Sequence, residues 1–254
     1  ENKGIKEIFV SFSSSKKLPL YKIPSHFING LLTVVFGGST GIEVSTVVAS
    51  ATIGSITQQK SGFLKQYKTE FICAGVAAGI TALFSSPIAG ILFALEVISR
   101  KVSKIFLITT IIAVSVASTM IYFLKEPILF NVKITTWHLY AIPYFTLLGA
   151  LSGVNSVFLT KSVLLIKNQF SKIKKSFHKI ALASLLIGTS IYFFPVLYGD
   201  GYHGIKEIII NPNTNFSITF FFFFFVILIL KTIITSVILA CGCVGGVFDF
   251  SIVI

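Results

Sequence analysis

A single carboxylate stands inside an uncharged and largely apolar stretch of this sequence. Glu43 lies in VFGGSTGIEVSTVVASATIGS, residues 35–55, with glycines before it and small or β-branched residues after it. Placing an acidic side chain at the centre of a bilayer costs roughly 2.5–3.5 kcal/mol on insertion scales, so such residues are functional by default. The alternative is a carboxylate that only caps the first amides of a helix. We favour the functional interpretation.

Two glycine-rich breaks that each lead into a helix suggest the chemistry. They are GGSTGIEVS at 37–45 and GCVGGVFDF at 242–250. Glycine permits turns and close backbone approach. A helix that begins at membrane depth has unpaired N–H groups beside the positive end of its dipole, and this combination binds anions. The Glu43 carboxylate could occupy such a site and be displaced by a permeating anion or by protonation.

The composition shows what kind of chain must position these breaks. Apolar residues make up 54% of the 254 residues and charged residues 12%, and the mean hydropathy is +0.89. A soluble domain has roughly 25% charged residues, so a multi-spanning membrane protein is indicated. The net charge of +12 comes from lysines in short loops between apolar runs. It therefore points to membrane topology and lipid headgroups, with the bilayer as partner and no nucleic acid.

The apolar segments predict an all-α polytopic architecture. Residues 1–21 are predicted to be a polar, basic, cytoplasmic segment, followed by a transmembrane domain over 22–254. Two helices broken at Ser85-Ser86-Pro87 are expected in 71–101, and YGDGYHGIKEIII is expected to form a short re-entrant helix. Further helices are predicted at about 24–36, 44–57, 105–124, 138–166, 180–197 and 216–240.

Enzymatic and metal-binding functions find little support in the residue pattern. The four histidines (His26, His138, His178 and His203) are dispersed, and no nucleophile–base or metal-ligand spacing emerges. The three cysteines lie in apolar runs and give no disulfide framework. We therefore expect no enzyme activity, no cofactor and no metal.

Four motifs in order resemble the CLC family of chloride channels and chloride/proton exchangers. GGSTGIEVSTVVASATIG is similar to the family's G-[KR]-E-G-P gating-glutamate motif and the helix after it. AGVAAGITALFSSPIAGILFALEVI resembles its small-residue helix and N/S-x-P segment, and LKTIITSVILACGCVGGVFDFS resembles the run into G-x-F-x-P. FFPVLYGDGYHGIKEII is a weaker fourth match.

The resemblance implies a fold, a transported ligand and site residues. The fold would be all-α, with tilted, broken helices in inverted halves, and chloride would be the transported ligand. Glu43 matches the gating glutamate. Anion-binding backbone amides would come from two groups of residues, an outer group at Gly41, Ile42 and Val44 and a central group at Gly246, Val247 and Phe248.

Two neighbouring positions bear on proton coupling. Glu96 matches a helix glutamate that is structural in the family. Val97 stands where the exchangers keep an internal proton-transfer glutamate, which favours a passive channel. Other departures are Ile42, Val44 and Ser45 in the first motif, and Asp249 and Phe250 in the last.

The resemblance leaves alternatives and implies a partner. Chloride/proton exchange through another acid, a fluoride-selective variant and a non-transporting remnant all stay open. The resemblance also implies a homodimer through helices near 87–99 and 105–124, in the cell or plasma membrane. Both ends are expected to be cut within a longer chain, so the family's upstream serine motif and downstream tyrosine would lie outside it.

Overall fold

All regular elements in the described part of the chain are helical. The computed structural model describes residues 8–11, 18–60, 66–99, 102–125, 138–173, 175–199 and 218–242. The α-helices are α1 Lys22–Val35, α2 Glu43–Lys60, α3 Lys68–Phe84, α4 Pro87–Phe93, α5 Lys104–Leu124, α6 Ile142–Ser171, α7 Ser176–Phe193 and α8 Ile218–Ala240. A π-helical turn, Ala94–Ser99, continues α4, and short 3-10 turns cover Leu139–Ala141 and Pro195–Leu197. The predicted all-α class is thereby confirmed.

The predicted break between the two helices of 71–101 is present. Ser85 ends α3 in the left-handed region at φ 51°, Ser86 is extended, and Pro87 occupies the first turn of α4. This follows from the chemistry of proline, which disfavours helical geometry in the residue before it and suits the first helical turn. The other predicted helices also form, with ends shifted by up to five residues. The expected re-entrant helix and the second glycine-rich break fall mostly outside the described residues.

Three helices are long and apolar enough to cross a membrane. They are Lys104–Leu124, Leu139–Ser171 and Phe222–Ala240. Large apolar side chains are exposed on them, for example Ile108 on α5 and Leu148 on α6. Outward-facing apolar surface of this extent suits a lipid environment.

The chain divides into two compact units, each with its own packing. The first unit comprises Glu1–Leu31 and Ile42–Leu129. Its core joins α2, α3 and α5 around Val48, Ile72, Val76 and Phe106. Small residues let its helices approach closely, because a Cβ at Gly54 would collide with the carbonyl group of Phe71.

The second unit comprises Leu32–Gly41 and Phe130–Ile254. Its described apolar clusters are small. One contains Phe170, Ala183, Val237 and Ala240, and the other contains Leu197, Ile227, Ile234 and Ile238. Helix α8 contributes to both clusters and therefore organises the packing of this unit.

Candidate functional site

Glu43 is the first residue of α2, and its side chain is only 4% exposed. The helix begins here because the Thr46 amide donates to the carbonyl oxygen of Ile42 at 2.9 Å, which is the first i→i−4 bond. The amides of Glu43, Val44 and Ser45 precede that bond and have no carbonyl four residues back within the helix. Glu43 therefore combines a buried carboxylate with the positive end of a helix dipole.

The residues predicted to bind an anion with Glu43 are placed as follows. Gly41 is buried, Ile42 is 38% exposed and Val44 is half-buried against the core of the first unit. Ile42, Glu43 and Val44 form one continuous turn at the start of α2. The central group, Gly246, Val247 and Phe248, lies outside the described residues.

Glu96 and Val97 both lie in the π-helical turn after α4. The Glu96 side chain is exposed, whereas Val97 is half-buried and packs against the core of the first unit. An apolar environment suits valine at this position. The valine offers no group that could carry a proton there.

In the second unit, two side chains hold the segment that precedes Glu43 in sequence. The Tyr198 hydroxyl donates to the carbonyl oxygen of Val35 at 2.6 Å, and the Thr235 hydroxyl donates to that of Ser39 at 2.8 Å. Neither residue was predicted from the sequence to have a role. Two signals were available: Tyr198 belongs to the fourth motif, and Thr235 is a polar residue in an apolar helix.

Glycine at position 37 is required by both conformation and space. Its φ of +79° lies in the left-handed region, and a Cβ there would come within 2.8 Å of the Tyr198 ring. Its carbonyl oxygen also accepts a 3.4 Å bond from the amide of Gly199. The segment is therefore fixed on one side by the residues that follow α7.

Two buried hydroxyl groups lie in the same segment. Ser39 is 2% exposed and Thr40 is 1% exposed. Neither Ser39 Oγ nor Thr40 Oγ1 has a hydrogen-bond partner within the described ranges. Each of these buried hydroxyl groups can still donate a hydrogen bond to water or to an anion.

Helix α8 carries a buried polar face in the second unit. Lys231, Thr232, Thr235 and Ser236 are all 3% exposed or less. Thr232 and Ser236 donate to carbonyl oxygens one turn earlier in the helix, those of Leu228 and Thr232. Thr235 instead donates to the carbonyl oxygen of Ser39, so this turn of α8 holds the glycine-rich segment within the second unit.

No metal-binding constellation is found in the part of the chain that the structure describes. No three histidine, cysteine, aspartate or glutamate side chains come together there. The two described cysteines, Cys73 and Cys241, are not joined in a disulfide. Glu43 at the start of α2 is a chemically distinctive feature of the first unit.

Comparison with known proteins identifies the family. The family model described as "Voltage gated chloride channel" matches residues 1–254, the whole chain. The chain belongs to the CLC family. Membership and the apolar helices make it an integral membrane protein. The resemblance in the four motifs is thus confirmed.

Curated relatives have two kinds of name. A "Voltage-gated ClC-type chloride channel ClcB" of Salmonella typhi is 26% identical over 187 residues, 72% of this chain and 44% of the relative. An "H(+)/Cl(-) exchange transporter ClcA" of Vibrio vulnificus is 26% identical over 258 residues, 96% of this chain and 54% of the relative. The chain therefore spans about half the length of these relatives.

A solved structure supports the fold. The crystal structure of a CLC-type fluoride/proton antiporter superposes with a TM-score of 0.81 and 24% sequence identity. It covers 98% of this chain, and the chain covers 63% of it. The CLC-type helical architecture predicted from the motifs is confirmed.

Proposed function

We propose that the protein transports chloride across a membrane through a CLC-type pathway, with Glu43 as its gate. The observation that carries this proposal is the position of Glu43. Glu43 is only 4% exposed and is the first residue of α2, directly after a glycine-rich segment. A carboxylate in that place competes with an anion for the same helix N-terminus.

The mechanism follows from the groups present at the start of α2. The ionised carboxylate lies at the positive helix end and excludes an anion by repulsion. When Glu43 takes up a proton or is displaced, the backbone amides near Gly41, Ile42 and Val44 can bind chloride. Amide dipoles bind an anion without a full counter-charge, so the anion can leave quickly.

The second group of amides, at Gly246, Val247 and Phe248, completes the pathway in this proposal. It rests on the likeness of GCVGGVFDF to the family's G-x-F-x-P motif, from which Asp249 and Phe250 depart. A carboxylate at Asp249 would repel an anion unless it were protonated or turned away. Anion selectivity is therefore the property that we expect to differ most from relatives.

Passive conduction is favoured over exchange by Val97, which cannot carry a proton. The second candidate is chloride/proton or fluoride/proton exchange through a different acid. It is supported by the relative named an H(+)/Cl(-) exchange transporter, which matches 96% of this chain, and by the fold of the antiporter. A non-transporting protein is the third outcome of the test.

The proposal also includes the surroundings of the pathway. We place the transmembrane domain over residues 22–254, after the basic segment 1–21 at the cytoplasmic face. A homodimer through α4 and α5, in the plasma membrane, is part of the same proposal. Several exposed apolar residues on α5, among them Ile108, Ile111 and Ile112, are available for lipid or for a second copy.

The test uses the full-length protein in liposomes, with chloride efflux and external pH recorded together. Chloride flux without proton movement supports the channel. Proton movement driven by a chloride gradient would indicate exchange and not passive conduction, and the inference drawn from Val97 would then be wrong. Absence of both fluxes, with fluoride also tested, would overturn the transport proposal.

A further inference from the structure

His26 is a buried titratable side chain that the proposed mechanism does not use. It is 1% exposed, and it and Gly30 are the two buried residues of α1. Neither Nδ1 nor Nε2 has a hydrogen-bond partner among the described residues. Burying polar nitrogens without partners is unfavourable, so an imidazole in this state is suited to binding something further.

The buried face of α1 contacts the beginning of α2 within the first unit. A Cβ on Gly30 would lie 2.6 Å from Ser45 Oγ and 3.9 Å from Ile42 Cγ2. Ser45 and Ile42 flank Glu43 in the sequence. His26 lies one helical turn before Gly30 on the same face, an axial rise of about 6 Å. One helical turn of α1 therefore separates His26 from the glycine that meets the beginning of α2.

Glycine at position 30 is what permits this approach. Any side chain there would collide with Ser45, whose hydroxyl oxygen is itself buried and has no partner in the described ranges. Gly30 and Ser45 thus meet at a close contact between α1 and α2, and His26 lies one helical turn before Gly30 on α1.

Charged residues are present on both of the helices that meet at this contact. Lys22 lies one turn before His26 on α1, and Glu43 is at the start of α2. Lys68 and Glu70, at the start of α3, have hydrogen bonds elsewhere, from Lys68 to the Ser11 carbonyl and from Ser103 to Glu70. A proton on His26 would therefore add a positive charge between Lys22 and the first turn of α2.

We propose that His26 is a proton-binding residue of the anion pathway, and that its protonation strengthens anion binding at the start of α2. The imidazole takes one proton from hydronium, so that an N–H bond forms on the ring, an O–H bond breaks and a water molecule is left. By linkage, an anion bound at α2 favours the protonated imidazole to the same extent. The inference rests on the proposed function, since it needs an anion site at this helix terminus.

The structure suggests a set of variants that separates charge from titration. His26→Lys keeps a cation on a long side chain, whereas His26→Gln keeps hydrogen-bonding capacity without the charge. The control is His178→Gln, because His178 is exposed at the start of α7. All variants are made with and without Glu43→Gln, which removes the titration of the gate carboxylate itself.

The measurement is chloride affinity of the full-length protein by calorimetry, over the range of about pH 5 to pH 8 in which histidine ordinarily titrates and also below it. The lower range is needed because burial, and then the charge of Lys22, lowers the pKa of His26. In the Glu43→Gln background we expect affinity to rise about tenfold toward low pH, the effect of a one-unit coupling. His26→Gln should bind weakly at every pH and His26→Lys tightly at every pH. His178→Gln should retain the full pH dependence.

The outcomes distinguish this inference from the proposed function. If the parent protein neither binds chloride nor carries it at any pH, the proposed function fails. If chloride binds and the pH dependence persists in His26→Gln, the inference fails while the function stands. If His26→Gln is not monodisperse after purification, His26→Lys decides alone, and a retained pH dependence in that variant overturns the inference.

Discussion

The Tyr198 hydroxyl donates a 2.6 Å hydrogen bond to the carbonyl oxygen of Val35, a residue 163 positions away in the sequence. Val35 is the last residue of α1, and the final carbonyl groups of a helix have no partner within it. The tyrosine supplies one, and it therefore stabilises the place where α1 ends and the glycine-rich segment begins.

Removing that hydroxyl should destabilise the protein measurably. Tyr198→Phe keeps the ring against Gly37 but deletes one hydrogen bond, at a cost of about 1 kcal/mol. We expect the melting temperature in detergent to fall by roughly 2–4 °C. Tyr192→Phe is the control, because Tyr192 is 81% exposed. Equal melting temperatures for the two variants would show that the bond contributes nothing.

Thr235 makes the corresponding contact from α8. Both Thr235 and Ser39 are buried, so Thr235→Val leaves the Ser39 carbonyl without its donor at a cost of about 1–3 kcal/mol. Thr235→Ser should largely restore stability, since it keeps the hydroxyl. Thr189→Val serves as the control, because the Thr189 hydroxyl is exposed and bonds to Leu185 of its own helix.

Thermal unfolding of these three variants gives the comparison, and chloride flux gives a second readout. Ser39 lies four residues before Glu43, the proposed gate, so a loosened segment should also change chloride flux. If the Thr235→Val protein is as stable as the parent and its chloride flux is unchanged, the Thr235–Ser39 hydrogen bond contributes to neither stability nor transport.

Close helix packing in the first unit predicts that a glycine substitution there is harmful, whereas the same substitution at an open position of α6 is not. Gly54→Ala drives a methyl group into the Phe71 carbonyl and should destabilise by about 1–3 kcal/mol. Gly149→Ala on α6 meets nothing within 4 Å and should be neutral or stabilising by up to about 1 kcal/mol. Thermal unfolding in detergent distinguishes them, and a Gly54→Ala protein as stable as Gly149→Ala would contradict the α2–α3 contact.

The helices were predictable because their signals are local. Pro87 after two serines predicts a break, and small residues such as Gly75 and Gly79 predict close packing; a Cβ at either of these glycines would meet Ser50 of α2. Glu43 stood out because a lone carboxylate in an apolar stretch has few structural explanations. These inferences needed only sequence neighbours and the physics of a low-dielectric environment.

The contacts that hold the glycine-rich segment within the second unit were not predictable in the same way. Thr235 and Ser39 are 196 positions apart, and a threonine in an apolar helix bonds by default to a carbonyl of its own helix, as Thr232 does. Only the fold shows that Thr235 reaches elsewhere. Likewise, the histidines appeared dispersed in the sequence, and the neighbours of His26 in sequence do not indicate that it is only 1% exposed.

The central claim is that Glu43 gates an anion pathway, and Glu43→Gln tests it most directly. The amide keeps the shape of the side chain but cannot ionise. Chloride efflux and external pH are recorded together from liposomes that contain the full-length protein or this variant. We predict that chloride flux in the variant persists, is faster than in the parent near neutral pH, and no longer depends on pH through this residue. A variant whose chloride flux and pH dependence equal those of the parent would contradict the claim.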